Sequence, residues 1–513
     1  MQIINCLYED YLTVRAMLIR IFDPEGRMLP SKNIWGFYLA DLNYVPFRIE
    51  KYVKKVRDGM IKIEVPDRPF QVFILFNIPN FGRAYIPADN EGVGYDDTYK
   101  EINLNVELAR TRYSKIIHEL NKCDSKRYVF SDEFYTRLRA MEKELELAEK
   151  ASSEKEKAVH AIKALSNGMW AGEMLAFEKA KQDIERHGRR EGFLFGCNFF
   201  GHPRLGEKYD KFFKEIFNYA TIPFYWAFFE PEKGKKKWKI TDEMVSWLRK
   251  ENIKIKGHPL VWFYEPAGIP KWIKGRSYEE VCAAIEKRIE EIVKRYEGKI
   301  YAYDVINEAH DWANDLDYSR KQLLEITELA CNVVKENDPN AVRIINNCCI
   351  WGEYVAYGKD YRRKVKRNMW TPLEYVKACI ERGIDFDYIG LQLYYPERDM
   401  FEISLMLDRY AELGKPIHIT ELAVSSSNTK DENSFLKEPP GLWHEPWNEK
   451  VQADWVEQFY TICYSKPYIE AITWWDLADK GHFWPHGGLL RPDFTPKEAY
   501  FRLKKLIERW SSL

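Results

Sequence analysis

Two glutamates at the ends of short apolar runs are candidate catalytic residues. Glu308 lies in AYDVINEAH and Glu421 lies in PIHITELAV. Each closes a short apolar run, and polar, turn-like sequence follows. Two carboxyl groups on separate strands of one barrel are sufficient for cleaving a glycosidic bond. One acts as acid and base and the other as nucleophile. The rest of the chain has to bring these two strand ends together.

Eight short apolar runs recur from about residue 190, and an amphipathic helical stretch follows each of them. Eight alternations of strand and helix predict a (β/α)₈ TIM barrel. An open doubly wound sheet is the alternative, but it usually has fewer units, and no GxGxxG follows the first run. The runs are 193–200, 220–226, 255–263, 302–309, 342–350, 388–395, 416–424 and 471–479.

A barrel of this kind places its active site at the carboxyl ends of its strands. In this register Glu308 ends strand four and Glu421 ends strand seven, nearly across the mouth from each other. Other strand ends are polar or aromatic, which predicts a cleft and not a capped core. These residues are His258 and Trp262 on strand three, Gln392 and Tyr394 on strand six, and Trp475 and Asp476 on strand eight.

The chain before the barrel divides into two parts. Residues 1–110 read as strands separated by turns, which predicts a small β-sandwich-like accessory domain. Residues 111–188 are predicted to form a helical connector, and residues 189–513 the barrel. Within the connector an apolar stripe indicates a helical hairpin, with a dimerising coiled coil as the alternative. The stripe consists of Phe134, Leu138, Met141, Leu145 and Ala148.

The chain is rich in aromatic residues, with 17 Trp, 32 Tyr and 28 Phe. Aromatic rings stack on the apolar faces of sugars, and they equally fill large cores. In the N-terminal part this leaves two interpretations open, a sugar-stacking face or structural packing. The residues concerned are Trp35, Tyr38, Tyr44 and Tyr52, or Tyr85 and Tyr95.

Charge and cysteine content exclude several classes of function. The formal net charge of −1 gives no basic field for nucleic acid or an anionic membrane. No apolar stretch is long enough to span a bilayer. The 9 cysteines are scattered without metal-ligand spacing, so we expect no metal and no disulfide framework. No leader is visible at the N-terminus, which predicts a cytoplasmic protein, or a secreted one if the chain has been trimmed.

Four motifs in the barrel region resemble one family of glycosidases. GHPLVW, DVINEA, ITEL and the closing WWDLADKGHFWPHGGLLRPDFTPKEAY follow one another along the chain. In this order they are similar to the barrel motifs of glycoside hydrolase family 10, the endo-β-1,4-xylanases. The resemblance covers roughly residues 190 to 510. It implies a retaining β-glycosidase that needs no cofactor.

By this resemblance Glu308 is the general acid/base and Glu421 the nucleophile. The acid must be protonated at rest, and we expect the nearby charge of Glu421 to raise its pKa. Asn307 resembles the family asparagine that binds the sugar 2-hydroxyl. The remaining candidate substrate-binding residues carried over from the family are His258, Trp262, Trp226, Gln392, Trp475 and Trp484.

The sequence departs from the family pattern in two strands. The family carries a glutamate-asparagine pair and a lysine on strand two, where this chain has Thr221, Ile222 and Tyr225. The family carries Gln-x-His on strand six, where this chain has Gln392 and Tyr394. We expect the Tyr394 hydroxyl to donate to Glu421 in place of the histidine, and we count it among the substrate-binding residues.

The sequence thus predicts a retaining glycoside hydrolase that cleaves β-1,4-linked xylan or xylo-oligosaccharides. The expected partner is a polysaccharide or oligosaccharide, with no nucleic acid and no membrane. Because hydroxyl-specific contacts set much of substrate discrimination, a related β-glycosidase acting on another β-linked glycan or a short oligosaccharide is one alternative. A non-catalytic glycan-binding barrel is the other. Substrate length, endo or exo action and oligomeric state stay open.

Overall fold

The structure is a computed structural model that describes residues 15–394, 397–437 and 441–513. The start of the chain, where a leader was sought, and Tyr395, the last residue of the sixth apolar run, lie outside these ranges. The chain forms two compact units. We call them the N-terminal unit, which comprises 15–175 with Val355–Gly358, and the barrel unit, which comprises the rest. The predicted three-part division of the chain stays a prediction.

Two small sheets make up the first part of the N-terminal unit, as the predicted fold class requires. One has four strands in the order β3-β4-β1-β7, and the other has three in the order β2-β5-β6. The strands are β1 Ala16–Arg20, β2 Trp35–Asp41, β3 Val53–Arg57, β4 Met60–Glu64, β5 Phe70–Ile78, β6 Gly82–Ala88 and β7 Glu101–Asn103.

The aromatic side chains of these sheets mostly serve packing. Tyr38, Tyr52 and Tyr95 are buried, and Tyr38 stacks on Phe73 with 4.7 Å between ring centroids. Trp35 is exposed. The predicted sugar-stacking face therefore loses three of its candidate rings to the core of this unit.

Helices follow the sheets. They are α1 Ile49–Tyr52, α2 Leu104–Asn121, α3 Asp132–Lys150 and α4 Glu154–His187. Nδ1 of His160 on α4 lies 2.7 Å from a carboxylate oxygen of Glu144 on α3, so α3 and α4 form a hairpin. Four residues of the predicted stripe are buried along α3, and Leu145 is half-buried. Among the described residues no helix combines the length and apolarity needed to cross a membrane.

The eight predicted barrel strands are all present. They form a closed barrel in the order β10-β11-β12-β13-β14-β17-β8-β9, with parallel pairing throughout. The strands are β8 Leu194–Asn198, β9 Tyr219–Pro223, β10 Lys254–His258, β11 Ala302–Asn307, β12 Val342–Asn347, β13 Tyr388–Tyr394, β14 Ile417–Ala423 and β17 Ile469–Trp474. A short hairpin, β15 Leu442–Trp443 and β16 Glu445–Pro446, lies between the last two.

Helices separate the strands, and local sequence explains where several of them begin. A serine or threonine that caps the first turn, with a glutamate or glutamine three residues later, satisfies free backbone N–H groups. Helices α8, α9 and α11 begin with this reciprocal cap. The helices are α5 Glu207–Ile216, α6 Trp226–Phe229, α7 Trp238–Lys250, α8 Tyr278–Arg295, α9 Arg320–Asn337, α10 Glu353–Tyr357, α11 Pro372–Glu381, α12 Met400–Ala411, α13 Glu449–Ser465 and α14 Glu498–Ser511.

The strands that carry the two glutamates are irregular next to them. The register of β11 against β12 shifts between Asp304 and Ile306, and that of β13 against β14 shifts at Gln392. Such bulges turn side chains in new directions. Glu308 itself has a φ of +55°, a left-handed conformation that costs a non-glycine residue about 1–3 kcal/mol. Its N–H donates to the Asn346 carbonyl (2.9 Å), which ties it to the next strand.

Arg190 joins the two ends of the barrel sequence at the amino-terminal rim. Its guanidinium donates to the carbonyls of Tyr464 (3.0 Å), Lys466 (2.9 Å) and Pro467 (3.1 Å), and also to that of Ile469 at the start of β17. Burial lowers the pKa of Arg190, because water is removed from a charge. A single side chain thus satisfies four carbonyls beside the β17–β8 pairing that closes the barrel.

We predict that Arg190→Ala lowers the free energy of unfolding by about 3 kcal/mol, because several hydrogen bonds from a charged donor are lost and buried carbonyls are left unpaired. Urea unfolding followed by tryptophan fluorescence measures the change. Arg189→Ala is the matched control, because the guanidinium of this neighbouring residue is half-exposed and pairs with Glu191. Equal losses in the two variants would show that the carbonyl contacts carry no stability.

Candidate active site

Glu308 and Glu421 both lie at the carboxyl end of the barrel, as predicted. Glu308 follows the last residue of β11, and Glu421 lies within β14, two residues before its end. Both are buried, with 7% and 5% of their surfaces exposed. Burial of a carboxylate is costly unless donors compensate for the lost water. The neighbours of each glutamate therefore decide its protonation state.

The Glu308 carboxyl group accepts hydrogen bonds from neutral side chains. Trp262 Nε1 donates to Oε2 (3.0 Å), and Gln392 Nε2 donates to Oε1 (3.1 Å). Burial raises the pKa of Glu308 to about 7, and these donors oppose the shift. The expected cause, the charge of Glu421, is therefore not the main one. Loss of water keeps this acid protonated up to about pH 7.

Glu421 has a different set of donors. The Tyr394 hydroxyl donates to Oε2 (2.6 Å), and Asn346 Nδ2 donates to Oε1 (3.1 Å). His258 Nε2 lies 3.7 Å from Oε1. On balance burial raises the pKa of Glu421, although His258, Tyr394 and Lys256 act to lower it. Nearby positive charge and a short hydroxyl hydrogen bond thus favour the ionised form of this group.

Three side-chain amides connect the two carboxyl groups. Asn346 Nδ2 donates to Asn307 Oδ1 (2.8 Å) as well as to Glu421. Gln392 Nε2 donates to Asn307 Oδ1 (3.2 Å) as well as to Glu308. Asn307 Oδ1 therefore accepts a hydrogen bond from each of the other two amides, and Nδ2 is the side-chain atom of Asn307 that can donate. A continuous hydrogen-bonded path runs from one glutamate to the other.

A fully buried group of charges lies below Glu421. Asp304 Oδ2 accepts from Lys256 Nζ (2.9 Å) and from His258 Nδ1 (2.7 Å). These two partners lower the pKa of Asp304 against the effect of burial. Lys256 Nζ also donates to the carbonyl of Thr420 (3.3 Å), next to Glu421. The group fixes the ring of His258 so that its Nε2 faces Glu421.

The predicted tryptophans occupy different places. Trp262 contacts Glu308, and Trp484 stacks on Tyr394 (5.5 Å between centroids) and donates to Ser425 (3.1 Å). Trp475 lies against His258 at 5.3 Å and is buried. Trp226 is buried too. It donates to Glu230 and packs on Trp272, and no described contact brings it to either glutamate.

The sequence interpretation missed several residues of the site. Asn346 contacts Glu421 and Asn307, and Thr420 donates to its Oδ1. The signal was present in the sequence, because Asn346 is a polar residue inside the fifth apolar run, as Asn307 is inside the fourth. Lys256 and Asp304 were also visible as charged residues inside apolar runs, where a charge requires a buried partner.

A closed (β/α)₈ barrel with two buried, differently hydrogen-bonded glutamates at the carboxyl ends of its strands defines a barrel glycosidase. The comparison with known families agrees. Residues 185–506 match the model of glycosyl hydrolase family 10. The chain belongs to this family, and the protein is a glycosidase.

Curated relatives cover most of the barrel. Endo-1,4-beta-xylanase B of Thermotoga neapolitana is 28% identical over 336 residues, which is 62% of this chain and 88% of the relative. Beta-1,4-xylanase of Dictyoglomus thermophilum is 28% identical over 318 residues, 58% of this chain and 84% of the relative. Among solved structures, xylanase 10B from Thermotoga maritima matches with a TM-score of 0.49 and 23% identity, covering 66% of this chain and 99% of that one.

We predict that Tyr394→Phe moves the acid limb of the kcat/KM profile to higher pH. The hydroxyl donates to the ionised form of Glu421, so its loss raises the pKa of that group and delays ionisation as pH increases. Initial rates on an aryl β-glycoside across pH measure the shift.

Tyr388→Phe is the matched control for Tyr394→Phe, because this tyrosine lies at the opposite end of the same strand and bonds to Glu470. An acid limb that stays in place in Tyr394→Phe would show that the hydroxyl does not support the ionised state of Glu421.

Proposed function

We propose that this glycosidase cleaves β-1,4-linked xylan or xylo-oligosaccharides by a retaining, two-step mechanism, with Glu308 as general acid/base and Glu421 as nucleophile. The observation that carries the proposal is the difference between the surroundings of the two buried carboxyl groups. One is held by neutral donors with its pKa raised to about 7, and the other faces His258 and accepts from Tyr394. Acid and nucleophile need these opposite states.

In the first step Glu308 donates its proton to the glycosidic oxygen as the bond to the anomeric carbon breaks. An oxygen of Glu421 bonds to that carbon from the opposite face, which gives a covalent glycosyl-enzyme and releases the leaving group. Asn307 Oδ1 already accepts from Asn346 and Gln392, so Nδ2 is the atom that would donate to the sugar 2-hydroxyl. Such a contact strengthens as the ring approaches an oxocarbenium ion.

In the second step Glu308, now ionised, takes a proton from water, and the water oxygen displaces Glu421 from the anomeric carbon. Esterified Glu421 carries no charge, so the repulsion that opposes ionisation of Glu308 is gone. The sugar leaves with its original anomeric configuration after two inversions.

Xylan is supported as the substrate by the relatives, which are xylanases. One observation favours a different β-linked glycan. Thr221 and Ile222, at positions where the family has polar sugar-binding residues, are completely buried and offer the substrate nothing. Initial rates on a panel of β-linked polysaccharides, oligosaccharides and aryl glycosides distinguish the two. A glycan-binding barrel without activity would bind members of the panel and hydrolyse none.

We predict that Glu421→Ala lowers kcat by at least about 10⁴-fold, because no group remains to form the covalent intermediate. Azide should restore part of the activity on an aryl β-xyloside and give the α-glycosyl azide, which NMR identifies. Glu412→Ala, an exposed glutamate at the end of α12, is the control and should keep full activity. Full activity of Glu421→Ala would refute its role.

We predict that Glu308→Ala slows substrates with poor leaving groups by about 10³-fold or more, since they depend on protonation, while the bond of a dinitrophenyl β-xyloside still breaks. In the wild type kcat/KM should fall as pH rises through about 7, where Glu308 loses its proton. This alkaline limb should vanish in the variant when measured on the activated substrate. Equal losses on both substrates would contradict an acid role.

A further inference from the structure

Four rings close a circle of contacts at the carboxyl ends of β17, β8, β9 and β10. Phe200 lies 5.9 Å from Tyr225 between centroids, and Tyr225 lies 5.4 Å from His258. His258 lies 5.3 Å from Trp475, and Trp475 lies 5.5 Å from Phe200. The interplanar angles are 78°, 86°, 79° and 83°. We call these four residues the aromatic circle.

The rings of the aromatic circle fill the space they enclose. Edge-to-face contacts at these distances are the favourable packing of aromatic rings, and they leave no gap for a sugar between them. His258 and Trp475 are the inner members, with 2% and 3% of their surfaces exposed. Phe200 and Tyr225 are half-buried and form the outer side. A sugar can therefore reach the outer rings but cannot pass through the circle.

The aromatic circle lies on the glycone side of the cleft. The sugar attacked by Glu421 must lie over that residue, and its leaving group must lie by Glu308, where Trp262 donates. Nε2 of His258, a member of the circle, lies 3.7 Å from Oε1 of Glu421. The pKa of the Tyr225 hydroxyl is raised chiefly by burial, then by the charge of Glu421, and less by that of Glu308. The rings of His258 and Trp475 thus lie beside the nucleophile, and Tyr225 extends from them to Trp262.

Strand β9 offers no polar contacts that would hold a second glycone sugar beside these rings. Thr221 and Ile222 are fully buried in the barrel. Tyr225 follows them and packs into the circle and against Trp262 at 5.9 Å. Binding of further sugars on this side would need hydroxyl-specific donors and acceptors, and this part of the wall presents aromatic carbon and one hydroxyl group.

We propose that Phe200 and Tyr225 close the glycone end of the cleft after one sugar, so that the enzyme removes single sugars from the non-reducing end of β-1,4-linked xylo-oligosaccharides. The inference rests on the proposed function and specifies the substrate of the same site. Chain length on the leaving-group side is not restricted by these rings.

The test uses the full-length enzyme and a xylopentaose that carries a fluorescent label at its reducing end. The first products should be unlabelled xylose and labelled xylotetraose, with each later step shortening the labelled chain by one sugar. Unlabelled xylobiose or xylotriose among the first products would overturn the proposal, because those products require two or more sugars on the glycone side. No hydrolysis of any β-xyloside would instead refute the proposed function.

A second measurement compares initial para-nitrophenol release from the aryl β-xyloside and the aryl β-xylobioside. The wild type should favour the xyloside by about tenfold or more in kcat/KM, because the second sugar of the xylobioside meets Tyr225. Tyr225→Ala should move this ratio towards the xylobioside by about tenfold. Phe501→Ala, which removes an exposed ring on α14, is the control and should leave the ratio unchanged.

A wild type that releases para-nitrophenol equally well from both substrates would also overturn the proposal. Circular dichroism shows whether Tyr225→Ala is folded. If that variant is not folded, the product pattern of the wild type tests the proposal.

Discussion

Two carboxyl groups lie buried at one end of the barrel, and one must hold a proton that the other must lack. Burial raises the pKa of both. The difference has to come from their neighbours, and here it comes from neutral donors at Glu308 and from a histidine and a hydroxyl at Glu421. The amides of Asn307, Asn346 and Gln392 hold both groups in place without adding charge.

The charges beneath the site follow from the same constraint. A buried carboxylate needs compensating positive charge or donors. Asp304 takes two cationic or donor partners, Lys256 and His258, and this pairing orients the imidazole towards Glu421. The arrangement also explains why charged residues interrupt apolar strands of this barrel. They occupy its interior near the carboxyl end, where they pair with one another.

The fold could be predicted from the sequence to a large extent. Alternating apolar runs and amphipathic stretches are local signals, and all eight barrel strands begin within two residues of the start of a predicted run. The roles proposed for Glu308 and Glu421 came from motifs and not from periodicity. The cause of the raised pKa of Glu308 could not be predicted, because burial depends on side chains from distant strands.

The contacts around the site were harder to predict than its strands. Asn346 was overlooked although it is a polar residue one position before the end of β12. Trp226 was expected from the family resemblance to contact the sugar, and in the structure it is buried and packs on Trp272. The aromatic circle joins residues from four strands that are up to 275 positions apart in the chain, Phe200 and Trp475. No pattern in sequence spacing reveals such a contact.

The backbone of Glu308 has a strained conformation. Its φ of +55° is one that glycine or asparagine adopts easily and glutamate does not. Glycine or asparagine at position 308 would relieve this strain and, given the acid/base role proposed for Glu308, would yield a more stable barrel without activity. Selection for stability and selection for hydrolysis therefore act in opposite directions at one residue, a trade-off expected where a catalytic side chain must be held in a fixed direction.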